Sequence, residues 1–208
     1  MYNFRTDLAD ERNEIYKKAN NISTNVDGIE AEEDEAENIK IGRVNIVNEN
    51  GEQAIGKPQG TYVTLDIKNI KTIQHEEIEK VANVLANELR NLINKHITDV
   101  DDILVVGLGN IYVTPDALGP KVVPEIEVTR HILQYMPKAM PEDTRPVSAI
   151  APGVLGITGI ETMEILKGIV DNVKPKMLIV IDALASRNIE RISSSIQLSD
   201  TGIVPGAG

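Results

Sequence analysis

Two aspartates stand just beyond apolar runs of the chain, and that placement suits acid–base chemistry. Carboxylates brought together can share one proton, so that one serves as a base while its partner stays protonated and donates a hydrogen bond. Asp116 follows the run Ile103-Leu104-Val105-Val106 through the stretch Gly107 to Pro115, and Asp182 directly follows Met177-Leu178-Ile179-Val180-Ile181. Each opens an Asp-Ala-Leu triplet. If the two runs are parallel strands, both acids lie at the sheet edge where open α/β folds bind their ligands. Structural roles compete with this reading. Thr114-Pro115-Asp116 suits N-cap, N1 and N2 of a helix, where an acid complements the dipole. Asp182 suits a turn residue that bonds its own backbone.

Other chemistries are poorly served. Gly107-x-Gly109 lacks the third glycine of a dinucleotide fingerprint, Tyr112 standing in its place. Ser193-Ser194-Ser195 has no neighbouring histidine base and reads as strand or turn. Asp200-Thr201-Gly202 copies the signature of pepsin-like and retroviral proteases, but those folds are all-β and need many strands after it, whereas the chain here is α/β; the triplet is a decoy. The absence of cysteine removes disulfides, thiol catalysis and cysteine-bound zinc. His75, His96 and His131 are too far apart for a zinc-binding H-E-x-x-H helix. With 32 acids against 21 bases, a net charge of -11, no clustered Lys or Arg, and no Trp, a nucleic-acid partner is not expected. No apolar run is long enough to span a bilayer and Met1 to Asp7 lacks a signal-peptide core, so the expected setting is cytoplasmic, with no membrane partner.

The elements that must position the aspartates follow from periodicity. Val44-Asn45-Ile46-Val47 and the alternation of Val63, Leu65 and Ile67 predict strands near the start of a sheet. Ile78, Val81, Leu85, Leu89, Leu92, Ile93 and His96 recur at helical spacing and predict a long amphipathic helix. The runs 103–106 and 177–181 have the unbroken apolar character of parallel strands buried on both faces. Between them the sequence predicts a helix from near Pro115, a short strand over Val147 to Ala151, and a helix opened by a capping box at Thr158 to Glu161 and closed by Lys174-Pro175. The fold class is therefore α/β, with a mainly parallel central sheet flanked by helices and a small N-terminal extension. The acidic run Glu30 to Glu37 reads as a solvated loop or linker, which divides the chain into an N-terminal segment, 1–37, and an α/β domain, 38–208.

Several stretches, in order along nearly the whole chain, resemble germination protease, the endopeptidase family of spore-forming bacteria. They are Phe4-Arg5-Thr6-Asp7-Leu8-Ala9, Gly107 to Pro120, Pro152 to Thr162, Ile181-Asp182-Ala183-Leu184-Ala185-Ser186-Arg187, and Ser199-Asp200-Thr201-Gly202-Ile203-Val204-Pro205-Gly206. The resemblance implies a fold like that of hydrogenase-maturation endopeptidases, a catalytic pair at Asp116 and Asp182, and no metal or other cofactor. It further implies a homotetramer in the spore core, small acid-soluble spore proteins as substrates, and a zymogen that removes its own N-terminal segment. Thr6-Asp7-Leu8-Ala9-Asp10-Glu11 resembles the family's substrate consensus, Thr/Ser-Glu-Phe/Ile-Ala-Ser-Glu, which places self-cleavage between Asp7 and Leu8. Family members continue beyond Gly208, so the resemblance implies a peptidase domain that is C-terminally incomplete relative to the family. Two alternatives stay open: a metal-binding peptidase of the hydrogenase-maturation type, with Asp116 and Asp182 as ligands but no histidine after Asp182, and a catalytically silent fragment.

Overall fold

The computed structural model describes residues 6–68, 70, 72–98, 101–184, 188, 191 and 193–203. Its strands are β1 (Ile29–Ala36), β2 (Ile39–Ile46), β3 (Gly60–Asp66), β4 (Ile103–Gly107), β5 (Val147–Ile150), β6 (Met177–Ile181) and β7 (Ser195–Ser199). Its helices are α1 (Ala9–Asn20), α2 (Glu49–Ile55), α3 (His75–Asn94), α4 (Leu118–Val122), α5 (Arg130–Tyr135), α6 (Leu155–Thr158) and α7 (Thr162–Val173), with 3-10 turns that include Thr114–Asp116. The described residues fall into two compact units, 6–93 with 184–203, and 94–183.

The first unit is built on a four-stranded antiparallel sheet in the order β1-β2-β3-β7. Strand alternation sends successive side chains to opposite faces, and the two faces carry separate apolar clusters. Ile39, Ile41, Val63 and Leu65 pack with Val84 and Leu92 of α3, joined by Ile196 and Leu198 of β7. Val44, Ile46 and Tyr62 pack with Ala9 of α1 and with Ala54 and Ile55 of α2. Charge is handled locally: Arg43, on the α3 face, meets the buried Glu88 at 2.5 Å, and that hydrogen bond raises the Arg43 pKa despite partial burial. On the other face Arg191 bonds Asp10 of α1 at 2.8 Å and Asp66 of β3 at 2.5 Å. Burial pulls the Arg191 pKa down, but its two acidic partners more than offset this and carry it upward.

The second unit holds a three-stranded parallel sheet in the order β5-β4-β6. All five residues of β4 are buried, as expected for the middle strand of such a sheet. Leu104, Val106 and Leu108 form its core with Ile150, Val180 and the α7 residues Leu166, Ile169 and Val170. The edge strand β6 is covered less completely, Leu178 being 39% exposed.

The α/β class and the helix-flanked parallel sheet match the sequence reading, while four local expectations change. The strands at 39–46 and 60–66 do not begin the parallel sheet; they belong to the antiparallel one. The acidic run is not a loop or linker, because Ile29–Ala36 pairs residue by residue with β2. Its side chains are nevertheless mostly solvated, since it occupies the end of the sheet and only its backbone is engaged. The Thr158 box does not open a helix. Thr158 closes the short α6, its hydroxyl lying 3.3 Å from the Val154 carbonyl and 2.9 Å from that of Ile160, and α7 begins at Thr162 with Glu161 as an N-cap that makes no side-chain bond. His96 lies beyond the end of α3 rather than on its apolar face. The C-terminal limit of α7 falls where expected, with Lys174 left-handed at φ 52° just before Pro175.

Candidate active site

The chain leaves β4 at Gly107, and the ladder to β6 continues for one further bond, from the Leu108 N–H to the Ile181 carbonyl at 2.8 Å. Asp182 is the first residue after β6, next in sequence to the Ile181 that pairs with Leu108. The loop then doubles back. Asp116 closes the 3-10 turn Thr114–Asp116, and its Oδ2 accepts the Asn110 N–H at 2.8 Å, while its backbone carbonyl accepts the same N–H at 3.1 Å. Asn110 in turn takes the Tyr112 N–H on its Oδ1 at 3.0 Å, which tightens the loop from its other side. Asp116 is thus held against the loop that leaves β4, and Asp182 follows the strand that pairs with β4. Both are half-buried. Asp182 Oδ1 accepts the Ala183 N–H at 2.8 Å, so the backbone sets its direction as well.

This geometry corrects the expected role of Asp116 in a helix start. The N-cap of its turn is Val113, Asp116 is the last residue of the turn, and α4 begins two residues later. Its carboxylate is aimed back at Asn110, not along a helix axis. Asp182 does make the local backbone bond foreseen for a turn residue.

The glycines of this loop have a packing explanation. Gly109 has φ +115°, and a Cβ there would lie 2.0 Å from the Asp116 carbonyl oxygen and 2.9 Å from its Oδ1. Gly119, at the start of α4, rests directly on the strand ends, where a Cβ would meet Leu108 O at 2.3 Å and Ile181 O at 2.5 Å. Sequence reasoning assigns neither contact, and it gives no reason to single out Asn110 for its backbone donor. The only available signal is the glycine spacing itself, which invites comparison with a nucleotide motif instead.

The remaining candidates belong to the other compact unit. Asp200 Oδ1 accepts the Thr61 N–H at 2.7 Å and the Thr201 hydroxyl lies 3.0 Å from the Tyr62 hydroxyl, so Asp200-Thr201-Gly202 ties β7 to β3 as a structural junction. Ser195 donates to Asp66, which makes it a strand residue, as its sequence context suggests. Among the described residues, no group of three or more His, Asp and Glu gathers to hold a metal ion. A metal at Asp116 and Asp182 would therefore have two carboxylates of these residues as ligands.

Residues 6–208 match the germination protease family. The chain is 51% identical over its whole length to a germination protease of Clostridium perfringens, and 52% identical over 98% of its length to one from Caldanaerobacter subterraneus. The chain belongs to the germination protease family. A third relative, the germination protease of Priestia megaterium, is 47% identical over the full chain. The chain spans 63%, 61% and 57% of the lengths of these three germination proteases respectively. No helix among the described residues is long and apolar enough to cross a membrane.

Proposed function

We propose that this chain belongs to an endopeptidase that starts the degradation of small acid-soluble spore proteins during germination. It is made as a self-processing zymogen and acts as a homotetramer in the spore core. Membership of the germination protease family supports the substrate and the setting. The chemistry is supported by one observation, that the loop after β4 folds back so that the Asp116 carboxylate accepts the Asn110 N–H, while Asp182 follows β6, the strand paired with β4. One carboxylate, ionised, takes a proton from water, and the water oxygen bonds to the carbonyl carbon of the scissile peptide. The protonated partner donates a hydrogen bond to the oxyanion that develops. Collapse breaks the C–N bond, and the departing amine takes a proton from the pair.

The neighbourhood suits an extended peptide with apolar side chains. Ile111, Tyr112 and Val113 follow β4 and are 48%, 84% and 43% exposed, and Leu155, Ile157 and Ile160 follow β5 and are about equally bare. Both groups follow the C-terminal ends of parallel strands, Ile111 to Val113 in the segment after β4 and Leu155 and Ile157 in the short α6 after β5, on the edge where the strands lead to the two aspartates.

The test uses the full-length protein and the peptide Thr-Glu-Phe-Ala-Ser-Glu under exhaustive chelation. Cleavage between Glu and Phe is expected, at a rate unchanged within about twofold by the chelator. If the carboxylates worked through a metal, two protein ligands would hold it weakly enough for removal. Activity lost to the chelator and restored by one specific divalent ion would replace the two-aspartate mechanism with the metal-dependent one.

A further inference from the structure

Leu8, with the carbonyl of the Asp7–Leu8 peptide bond before it, is bracketed by one side chain. Gln197 of β7 accepts the Ala9 N–H on its Oε1 at 2.8 Å and donates from its Nε2 to the Asp7 carbonyl at 3.0 Å. Strand alternation explains why it can do so. Ile196 and Leu198 pack on the α3 face, so Gln197, between them, points to the face that carries α1. The amide supplies one acceptor and one donor in a fixed plane, and here the two are matched to an N–H and a carbonyl that flank the same residue.

The rest of the segment is secured independently. Leu8 and Ala9 have no exposed surface and Thr6 is 3% exposed. The Thr6 hydroxyl donates to Glu11 and accepts the Leu8 N–H at 3.2 Å. Arg12 Nε donates to the Thr6 carbonyl at 2.8 Å, and its Nη1 reaches the carbonyls of Ile55 and Gly56. Glu11 also accepts the Asn188 N–H at 3.0 Å. A peptidase must surround an extended substrate on both sides of the bond it cuts, whereas this bond leads straight into α1 with its following side chain fully enclosed.

We infer that Gln197 is a clamp on the Asp7–Leu8 bond, a positioning residue that keeps the bond out of reach until residues 6–12 lift from the antiparallel sheet. The clamp sets the rate at which this segment is released, not the chemistry of hydrolysis. As a device for controlling processing, it rests on the reading of Asp7–Leu8 as the processing bond. Its mechanical content, that Gln197 governs access to the bond, can be tested separately.

The experiment uses full-length protein carrying Asp116→Asn, with and without Gln197→Ala. An external endopeptidase that cuts after acidic residues is added under native conditions. Mass spectrometry follows the fragment that begins at Leu8, corrected for any that forms without the external enzyme and normalised to cutting after the exposed Glu142. Gln197→Ala is expected to accelerate the Leu8 cut at least tenfold relative to Glu142. It should also speed hydrogen exchange of the Ala9 amide while leaving the amides of α3 unchanged, a difference that general destabilisation would not produce. If Gln197→Ala does not fold, Gln197→Glu gives the same reading, since it keeps the acceptor for Ala9 but sets an oxygen against the Asp7 carbonyl. Equal cutting with and without the substitution overturns the clamp. The companion measurement leaves Asp116 intact. There, Gln197→Ala should hasten the appearance of the Leu8 terminus without external enzyme. A faster external cut with no such terminus at any time would uphold the clamp and refute Asp7–Leu8 as the processing bond.

Discussion

Asp116→Asn and Asp182→Asn should each lower peptide cleavage about a thousandfold or more, within the range that a positioned acid or base contributes, while moving the thermal midpoint by only a few degrees. The asymmetry follows from what each carboxylate does for the fold. Asp116 accepts the Asn110 N–H and Asp182 accepts the Ala183 N–H, and an asparagine carbonyl oxygen accepts either bond with the same geometry. The strand end is therefore kept, and only the ability to give or take a proton is lost. The double substitution should be no slower than the more damaging single one, because residues that act as a unit do not contribute additively. Initial rates on the peptide substrate, together with calorimetry of each variant, provide the check. A single variant that retains activity would show that its aspartate only shapes the loop.

Gly119→Ala is expected to be equally damaging for a different reason. The added methyl would sit 2.3 Å from Leu108 O, 2.5 Å from Ile181 O and 2.5 Å from Leu108 N. All three are backbone atoms, and two of them form the last bond that joins β4 to β6. No rotamer change relieves such a contact, so α4 must move away or the strand end must open. The expected cost is about 3 kcal/mol, the upper part of the usual range for overpacking, and displacement of the turn that carries Asp116 should abolish cleavage as well. Gly168 supplies the control. It lies within α7, and a methyl added there would have nothing within 4 Å of it, so Gly168→Ala should stabilise the protein by about 0.5–1 kcal/mol through helix propensity. Denaturant melts of the two variants should shift in opposite directions. A Gly119→Ala protein with native stability and activity would mean that α4 does not need to rest on the strand ends.

The parts of this structure that could be read from the sequence are those in which one element has one dominant environment. Ile103 to Val106 is apolar throughout because β4 is covered on both faces, and the recurrence of Val81, Leu85 and Leu92 reflects a single buried stripe on α3. That Asp182 and the loop carrying Asp116 follow strands of a parallel sheet is likewise legible, because an apolar run precedes each of them. What is not legible depends on pairing between distant segments. Nothing local in Val44 or Leu65 states whether a neighbouring strand runs parallel or antiparallel, and β7 comes from residues far along the chain. The hydrogen bond from Asn110 to Asp116 is hidden because its donor is backbone, which every residue type but proline provides. Gln197 is invisible for a related reason: a lone polar residue in a short strand gives no hint that its partners lie 188 and 190 positions earlier.

The acidic strand β1 has a consequence for how copies of this protein meet one another. It terminates the antiparallel sheet, pairing with β2 on one side only among the described strands, and an unpaired strand margin is a template on which another chain can add. Glu30, Glu32, Glu33, Asp34 and Glu35 all face solvent along that margin. A second copy approaching in the same manner would bring its own row of carboxylates into line with these, and directly opposed like charges disfavour cross-strand pairing. The sequence that looked like a spacer thus disfavours addition of a like-charged strand at this margin, most strongly at low ionic strength, where that repulsion is least screened.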